Sequence, residues 1–431
     1  MTRRHVFDMA GNVFAMKDWD LDVVWLSNPL SNTQERTLGV RLPAMTVQRL
    51  AIDPTQDLLI LVEDVRSPVL FTGTRTLRVH IRSLSTASVH PLACKSSFEM
   101  CVTQAGVFNS RDYCKVPHIA GDIFMMCLLS YGRLSRTETK VRTVILNWRA
   151  SELVYDTDVM LDTTPTSGVC LLDPDYFFIA SDVGSGCIRL YRLVRSNIKS
   201  PRVHLATLYF PTINRNARIS NISSSAGAIE VQPHPGSSFI VNNDDRLHAL
   251  RIEYGVSLDL DRPLAVNIFV HQRVFMKFIS QHLNVNSPLE VPWEDWGPSN
   301  TALVYPACTL PRWFPGKHVY SQRVIASNLF LGEQLDSINI WDFSLATIKA
   351  AKEFAETSSG EFRGVLFPSR TVYASEVPLF EADVKTSLPF VAWRLEVGKH
   401  RHYFYFLHAN GFAGMKLTSD FCALDVYSLD E

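Results

Sequence analysis

One phrase recurs along this chain: an apolar strand, a proline turn, a second apolar strand, a polar turn, and an alternating strand carrying arginine. It is seen in LAIDPTQDLLILVEDV (Leu50–Val65) followed by TLRVHIRSL (Thr76–Leu84). It returns in CLLDPDYFFIASDVGSGCIRLYRLV (Cys170–Val194) and in IEVQPHPGSSFIVNNDDRLHALRIE (Ile229–Glu253). Pro54, Pro174 and Pro233 mark the shared turn. The last two are about 60 residues apart and the first two about twice that, which is a repeat period with one unit skipped. A unit without the proline fits the gap: IAGDIFMMCLLS (Ile119–Ser130), then VRTVILNWRASELVYD (Val141–Asp156).

Weaker units follow at Gln322–Ser344 and Phe362–Val397, and HYFYFLHANGFAGMKL (His402–Leu417) closes the series. NVFAMKDWDLDVVWLSN (Asn12–Asn28) and TLGVRL (Thr37–Leu42) lie ahead of the first clear unit. Short runs rich in Val, Ile, Leu, Phe and Tyr, cut by Asp-Pro, Asn, Gly and Ser, read as antiparallel strands. Two helices are predicted, over Val274–His282 and Ser344–Glu356. A small sheet cannot cover both its faces alone; stacking sheets radially covers them. The expected fold class is therefore all-β, a β-propeller of about six to seven blades. Residues 1–10 are expected as an N-terminal tail and 11–431 as a single propeller domain. Tandem β-sandwiches are the alternative, though they do not predict one turn recurring at one period.

Residues 271–321 break the plan. This stretch holds Pro288, Pro292, Pro298, Pro306, Pro311 and Pro315. It also holds Trp293, Trp296 and Trp313. A Pro/Trp-rich insertion of this length is expected to be an ordered loop. Rigid aromatics lose little entropy on docking, which makes the three tryptophans candidate partner-binding residues. The other reading has them fold back and plug the insertion onto the sheets.

Composition narrows the partner. The formal net charge is −1, without the basic surplus of a phosphate-backbone binder, so nucleic acid is not expected. The densest basic cluster, Lys399-His400-Arg401-His402, reads as a solvated strand end. No run of ~20 apolar residues predicts a membrane helix, and the N-terminus lacks a signal-peptide pattern. The 8 cysteines form no CxxC pair and read as reduced core residues, which favours cytoplasm or nucleus.

Catalytic patterns are missing: there is no GxSxG, HExxH, GxxxxGK[ST] or strand-borne GxGxxG. SDVGSG (Ser181–Gly186) is similar to the Asp-box of sialidase propellers but lacks its spacing and tryptophan, and reads as a turn. His80 and His248 occupy matched places in two alternating strands, yet sequence gives no reason to bring them together on a metal. Glu294 and Asp295 in WEDWG point opposite ways if that segment is extended. No cofactor, metal or catalytic residue is expected.

AIDPTQDLLILVE (Ala51–Glu63), LHALRIE (Leu247–Glu253), INIWDFS (Ile338–Ser344) with the following IKAAKEF, and the strand set ending at Asp425–Glu431 resemble the C-terminal region of basidiomycete fungal F-box proteins. That region is a distant relative of WD repeats. Trp341-Asp342 falls where a WD-repeat strand ends, while the Gly-His dipeptide of regular WD repeats is absent. The resemblance implies a non-enzymatic protein–protein interaction module, the substrate-recognition half of a ubiquitin-ligase adaptor. Met1–Val40 shows no F-box, the helical module that grips a Skp-type adaptor. The expectation is a member that lost its F-box, or a start placed downstream of one, with Skp binding in doubt either way. The rival expectation from another class is a propeller hydrolase or lyase with a channel-bound metal.

Overall fold

The apolar runs form strands because their side chains find cover on both sides. In the computed structural model, β6 (Leu58–Val65) shows the rule. Leu59 and Leu61 join one buried cluster, and Leu58, Ile60 and Val62 join another on the opposite face. Side chains alternate along a strand, so an unbroken apolar run is what a strand covered on both faces needs. The structure describes residues 6–10, 13–18, 23–27, 38–41, 45–65, 74–103, 113–114, 117–131, 139–157, 168–195, 202–227, 229, 243–256, 264–282, 287–305, 318–326, 337–357, 364–375, 379–396, 404–408, 411–417 and 422–428.

The protein is mostly β. The first sheet holds β1 (Val6–Ala10), β2 (Val13–Asp18), β3 (Val23–Ser27) and β4 (Leu38–Arg41) in that order. The second holds β5 (Val47–Asp53), β6, β7 (Thr74–Ser83) and β8 (Ser97–Thr103). In the third, β9 (Tyr113–Cys114) pairs with β11 (Ile123–Tyr131) beside β10 (His118–Ala120), β12 (Thr139–Asn147) and β13 (Glu152–Asp156). The fourth is β14 (Val169–Leu171), β15 (Tyr176–Ser181), β16 (Cys187–Leu193) and β17 (Arg202–Tyr209). These four are antiparallel meanders.

The fifth sheet starts with β18 (Ala217–Ala226), β19 (Leu247–Val256) and β20 (Leu264–His271). Then come α1 (Gln272–His282), β21 (Leu289–Val291), α2 (Trp293–Asn300) and β22 (Thr301–Val304). β21 crosses back to pair in parallel with β17, and β22 completes the fifth sheet against β20. The sixth contains β23 (Val319–Tyr320), β24 (Arg323–Ala326) and β25 (Ser337–Asp342). After α3 (Leu345–Thr357) come β26 (Gly364–Phe367), the hairpin β27 (Arg370–Val372) and β28 (Val384–Thr386), and β29 (Phe390–Glu396). Both β26 and β29 return to the sixth sheet. The seventh is β30 (Phe404–His408), β31 (Gly411–Leu417) and β32 (Cys422–Ser428).

Buried clusters sit between consecutive sheets. Val6 and Ala15 meet Leu50 and Leu59; Ile60 and Val79 meet Phe124 and Leu146; Ile145 and Tyr155 meet Phe177 and Tyr191. Phe178 and Ile188 meet Leu250 and Ile268 in a cluster that also takes in α1, α2 and Phe380 of the β27–β28 connection. Phe269 meets Phe343 and Phe390, and Ile338 meets Tyr405 and Phe412. Phe406 of the last sheet then packs against Phe7 of the first, with centroids 5.4 Å apart. Among the described residues no helix is long and apolar enough to cross a membrane.

Four expectations need correction. Residues 6–10 are no tail: they form β1, buried throughout and paired with β2. The third repeat was read one strand out of phase, because LHALRIE is the second strand of its sheet and not the third. The Pro233 turn lies outside the described residues. The two weaker units at Gln322–Ser344 and Phe362–Val397 fold as one sheet, since β29 pairs directly with β25. Residues 271–321 are not a single loop; they contain two helices, the last strand of the fifth sheet and the first of the sixth. The predicted helices are present as α1 and α3.

Phe406 is 1% exposed and also meets Phe14, at 6.2 Å. Phe406→Ala should cost about 3–5 kcal/mol, as for other buried phenylalanines. Urea unfolding should register this as a lower midpoint.

Candidate binding surface

In an antiparallel meander the first-to-second and third-to-fourth turns leave the sheet at the same end. In the second, third and fourth sheets these turns hold one another. The β5–β6 turn is built by Asp53, whose Oδ1 accepts from Thr55 N at 3.0 Å, while its Oδ2 accepts from Gln56 Nε2 at 2.7 Å. Asp57 closes it in the left-handed region at φ 54° and accepts from Ser83 and Ser85. The β14–β15 turn repeats the device, with Asp173 accepting from Asp175 N and Tyr176 N at 2.7 and 2.8 Å. Short side-chain-to-backbone bonds of this kind are why Asp precedes proline in both turns.

Bonds between turns bind the sheets together. Gln56 Nε2 donates to Gly121 O at 3.0 Å, and Arg149 Nη2 donates to Gln56 Oε1 at 2.9 Å. Trp148 Nε1 also donates to Gly121 O, at 2.8 Å. Gly121 sits at φ +55°, and a Cβ there would lie 3.2 Å from Pro174 of the next sheet, so glycine serves both the backbone and the close approach. Arg195 ties Asp122 at 2.8 Å to Asp175 at 3.0 Å. The β7–β8 loop lies over this lattice. His90 Nε2 is 2.9 Å from Gln56 O, and its ring meets Trp148 edge-on at 4.8 Å. Cys94 N donates to Arg149 O, and Lys95 N to Ser151 Oγ.

The result is a rigid surface with apolar residues exposed on it. Val89 is 44% exposed and Leu92 57%. Leu153 stands at 42% at the start of β13. Arg149 and Lys95 are exposed beside them, and no described carboxylate lies within ion-pair distance of either. Binding residues concentrate on loops held by a rigid scaffold.

Where the fourth sheet meets the fifth, a buried polar cluster underlies the same end. Arg246 (1% exposed) donates through Nη2 to Leu171 O. Its Nη2 also lies 3.5 Å from His248 Nε2, which is 3.2 Å from Gln272 Oε1. Burial pushes His248 well below the usual imidazole range, and the Arg246 charge adds to the shift. Burial also lowers His271. Burial lifts the Cys170 thiol to about 11, so it is protonated and unreactive at neutral pH. Among the described residues no group of three or more His, Cys, Asp or Glu is placed to hold a metal.

The tryptophans expected to bind a partner are elsewhere. Trp293 and Trp296 are 6% and 0% exposed and meet edge-on at 5.1 Å within the core. Trp296 Nε1 donates to Tyr209 O at 2.8 Å, so even its polar handle is used internally. Neither offers a face to a partner; they plug α2 onto the fourth and fifth sheets. Trp313 and the Lys399–His402 cluster lie outside the described residues. Glu294 and Asp295 are in the first turn of α2, not in a strand. His80 pairs with Glu63 at 2.9 Å in the second sheet, well away in fold position from His248 between the fourth and fifth. Ser181–Gly186 is a turn, with Gly184 and Gly186 at positive φ. Val89, Leu92 and Arg149 were missed, although Asp-Pro, Gly-Asp and Trp-Arg at successive turns carried the signal.

No protein-family model matches the chain, and no curated protein does. Matching solved structures include a functionally unknown protein from Desulfotomaculum acetoxidans, at 8% identity over 63% of this chain and 66% of that one, TM-score 0.30. Kluyveromyces lactis Hsv2p matches at 9% identity over 79% of this chain and 93% of its own, TM-score 0.30. Cobalt-substituted Synechocystis ACO matches at 11% identity over 63% and 59%, TM-score 0.30. The chain thus spans just under two thirds of the first of these. Likeness this slight carries no argument about architecture or activity.

His248 and His271 are held neutral in the fold with lowered pKa, so the unfolded chain takes up protons first as pH falls. Their contribution to stability is complete above about 6.5, the unfolded imidazole value, and is lost progressively below it. Thermal midpoints at pH 7.5 and 5.0 should differ, with the lower value at pH 5.0. His248→Gln should shrink that difference.

Proposed function

We propose that the seven sheets are blades of a β-propeller and that the chain is a non-enzymatic recognition module for a protein partner. The ring reading is supported by the sequence of inter-sheet clusters and by Phe406 of the last sheet packing on Phe7 and Phe14 of the first. Such a ring gives many turns one rigid base.

The observation that carries the binding reading is the surface formed by the β7–β8 loop and the β12–β13 turn. It presents Leu92 and Val89 to solvent beside Arg149, on turns cross-bonded from sheet to sheet. Exposed apolar side chains on a preorganised base suit a protein interface, and arginine is among the residue types enriched at interface hot spots. The F-box resemblance extends this reading to a substrate-recognition role in a ubiquitin-ligase adaptor, with the bound protein as the substrate.

The test compares the wild-type chain with a Leu92→Asp/Arg149→Glu double variant as baits in extract from the source cells. Both changes are at exposed positions, so the thermal midpoint should stay close to wild type. A defined set of proteins should be retained by the wild type and reduced at least about tenfold on the variant. Equal capture by both baits rejects this surface. A Skp-type adaptor in the captured set carries the ligase extension, and its consistent absence removes it.

A further inference from the structure

Arg246 differs from several other charged side chains buried among the described residues, which are paired. Arg323 holds Asp342 at 2.9 Å, Arg142 holds Asp156 at 2.6 Å, and Arg251 holds Glu253 at 3.1 Å. Arg246 is 1% exposed, yet no carboxylate of the described residues is within ion-pair distance of it. Its firm bond is to the neutral Leu171 carbonyl, with Cys170 Sγ at 3.9 Å, and its Nε has no hydrogen-bond partner. His248 is fully buried two residues on, and its Nδ1 also has no partner. A buried charge without a counter-charge, or a buried donor without an acceptor, is a strong liability.

A second feature points the same way. The 11-residue helix α1 begins here, with Gln272 N donating to Arg246 O at 2.8 Å. A helix N-terminus concentrates positive potential and unsatisfied N–H groups. The first turn of α1 contains no acidic residue to answer that potential. Carboxylates at this end of the sheets are engaged: Asp245 holds Arg273 at 2.9 Å, and Asp173 caps the β14–β15 turn. The N-terminal end of α1, an unpaired guanidinium Nε and an unpaired imidazole Nδ1 therefore share one buried region, where the carboxylate that acts on Arg246, Asp173, is engaged in its own turn.

We propose that Arg246, His248 and the N-terminal end of α1 bind a small oxyanion, a phosphate or a carboxylate, between the fourth and fifth sheets. The anion neutralises the guanidinium and accepts from its Nε. It also accepts from His248 Nδ1–H, in the tautomer whose Nε2 accepts from Arg246 Nη2, which requires the Gln272 amide to turn so that its NH2 replaces Oε1 against the ring. The helix end supplies the remaining field. Because Leu171 and Asp173 flank the β14–β15 turn, occupancy stiffens the base of the exposed loop surface.

Thermal unfolding of the whole chain tests this, with inorganic phosphate, acetate and sodium chloride compared at constant ionic strength. The midpoint should rise saturably with phosphate or acetate and stay level in chloride. Whichever anion gives the rise identifies the ligand class. Arg246→Met should abolish the rise, and His248→Gln should weaken the apparent affinity about tenfold or more. If Arg246→Met does not fold, the wild-type series and His248→Gln decide. No saturable rise over chloride in the wild type overturns the proposal, as does an undiminished rise in His248→Gln or in a folded Arg246→Met.

Discussion

The structure depends on each sheet being apolar on two faces and covered by a neighbour on both. β6 sends Leu59 and Leu61 one way and Leu58, Ile60 and Val62 the other. No sheet in this arrangement is stable alone, because separating it from its neighbours exposes two apolar faces at roughly 25 cal/mol per Å². The meeting of Phe7, Phe14 and Phe406 matters for the same reason: without it the first and last sheets would each keep an uncovered face.

That packing leaves the turns as the free material of the molecule. Their side chains are spent largely on one another, as Gln56, Gly121, Trp148 and Arg149 show. Among the side chains that remain unspent are Val89, Leu92 and Leu153 above the lattice, and Arg246 beneath it. Trp293 and Trp296, conspicuous in the sequence, are buried in the fold.

The β27–β28 connection adds a tie that strand order alone does not supply. It leaves the sixth sheet and places Leu379 and Phe380 in the cluster between the fourth and fifth. Asn214 N donates to Leu379 O there, and Glu381 N to Thr212 O. α2 and β21 span the same sheets from the other direction, through Trp296 and the parallel pairing with β17. The fourth and fifth sheets are thus braced by two sets of ties, and the buried cluster of Arg246 and His248 lies between them.

The sequence by itself determined many of the strands, the predominantly β class and two of the three α-helices among the described residues, because a period of two and a period of 3.6 are written in neighbouring residues. It determined the Asp-Pro turns at Asp53 and Asp173 for the same local reason. Only the tertiary structure decided which strand of a sheet LHALRIE is, that β29 returns to β25 across α3 and the β27–β28 hairpin, and that Trp293 and Trp296 face inward. Those outcomes rest on contacts between residues far apart in the chain. Proline beside tryptophan reads alike in a core plug and an exposed loop, and an arginine gives no sign in sequence of whether a carboxylate will come to meet it.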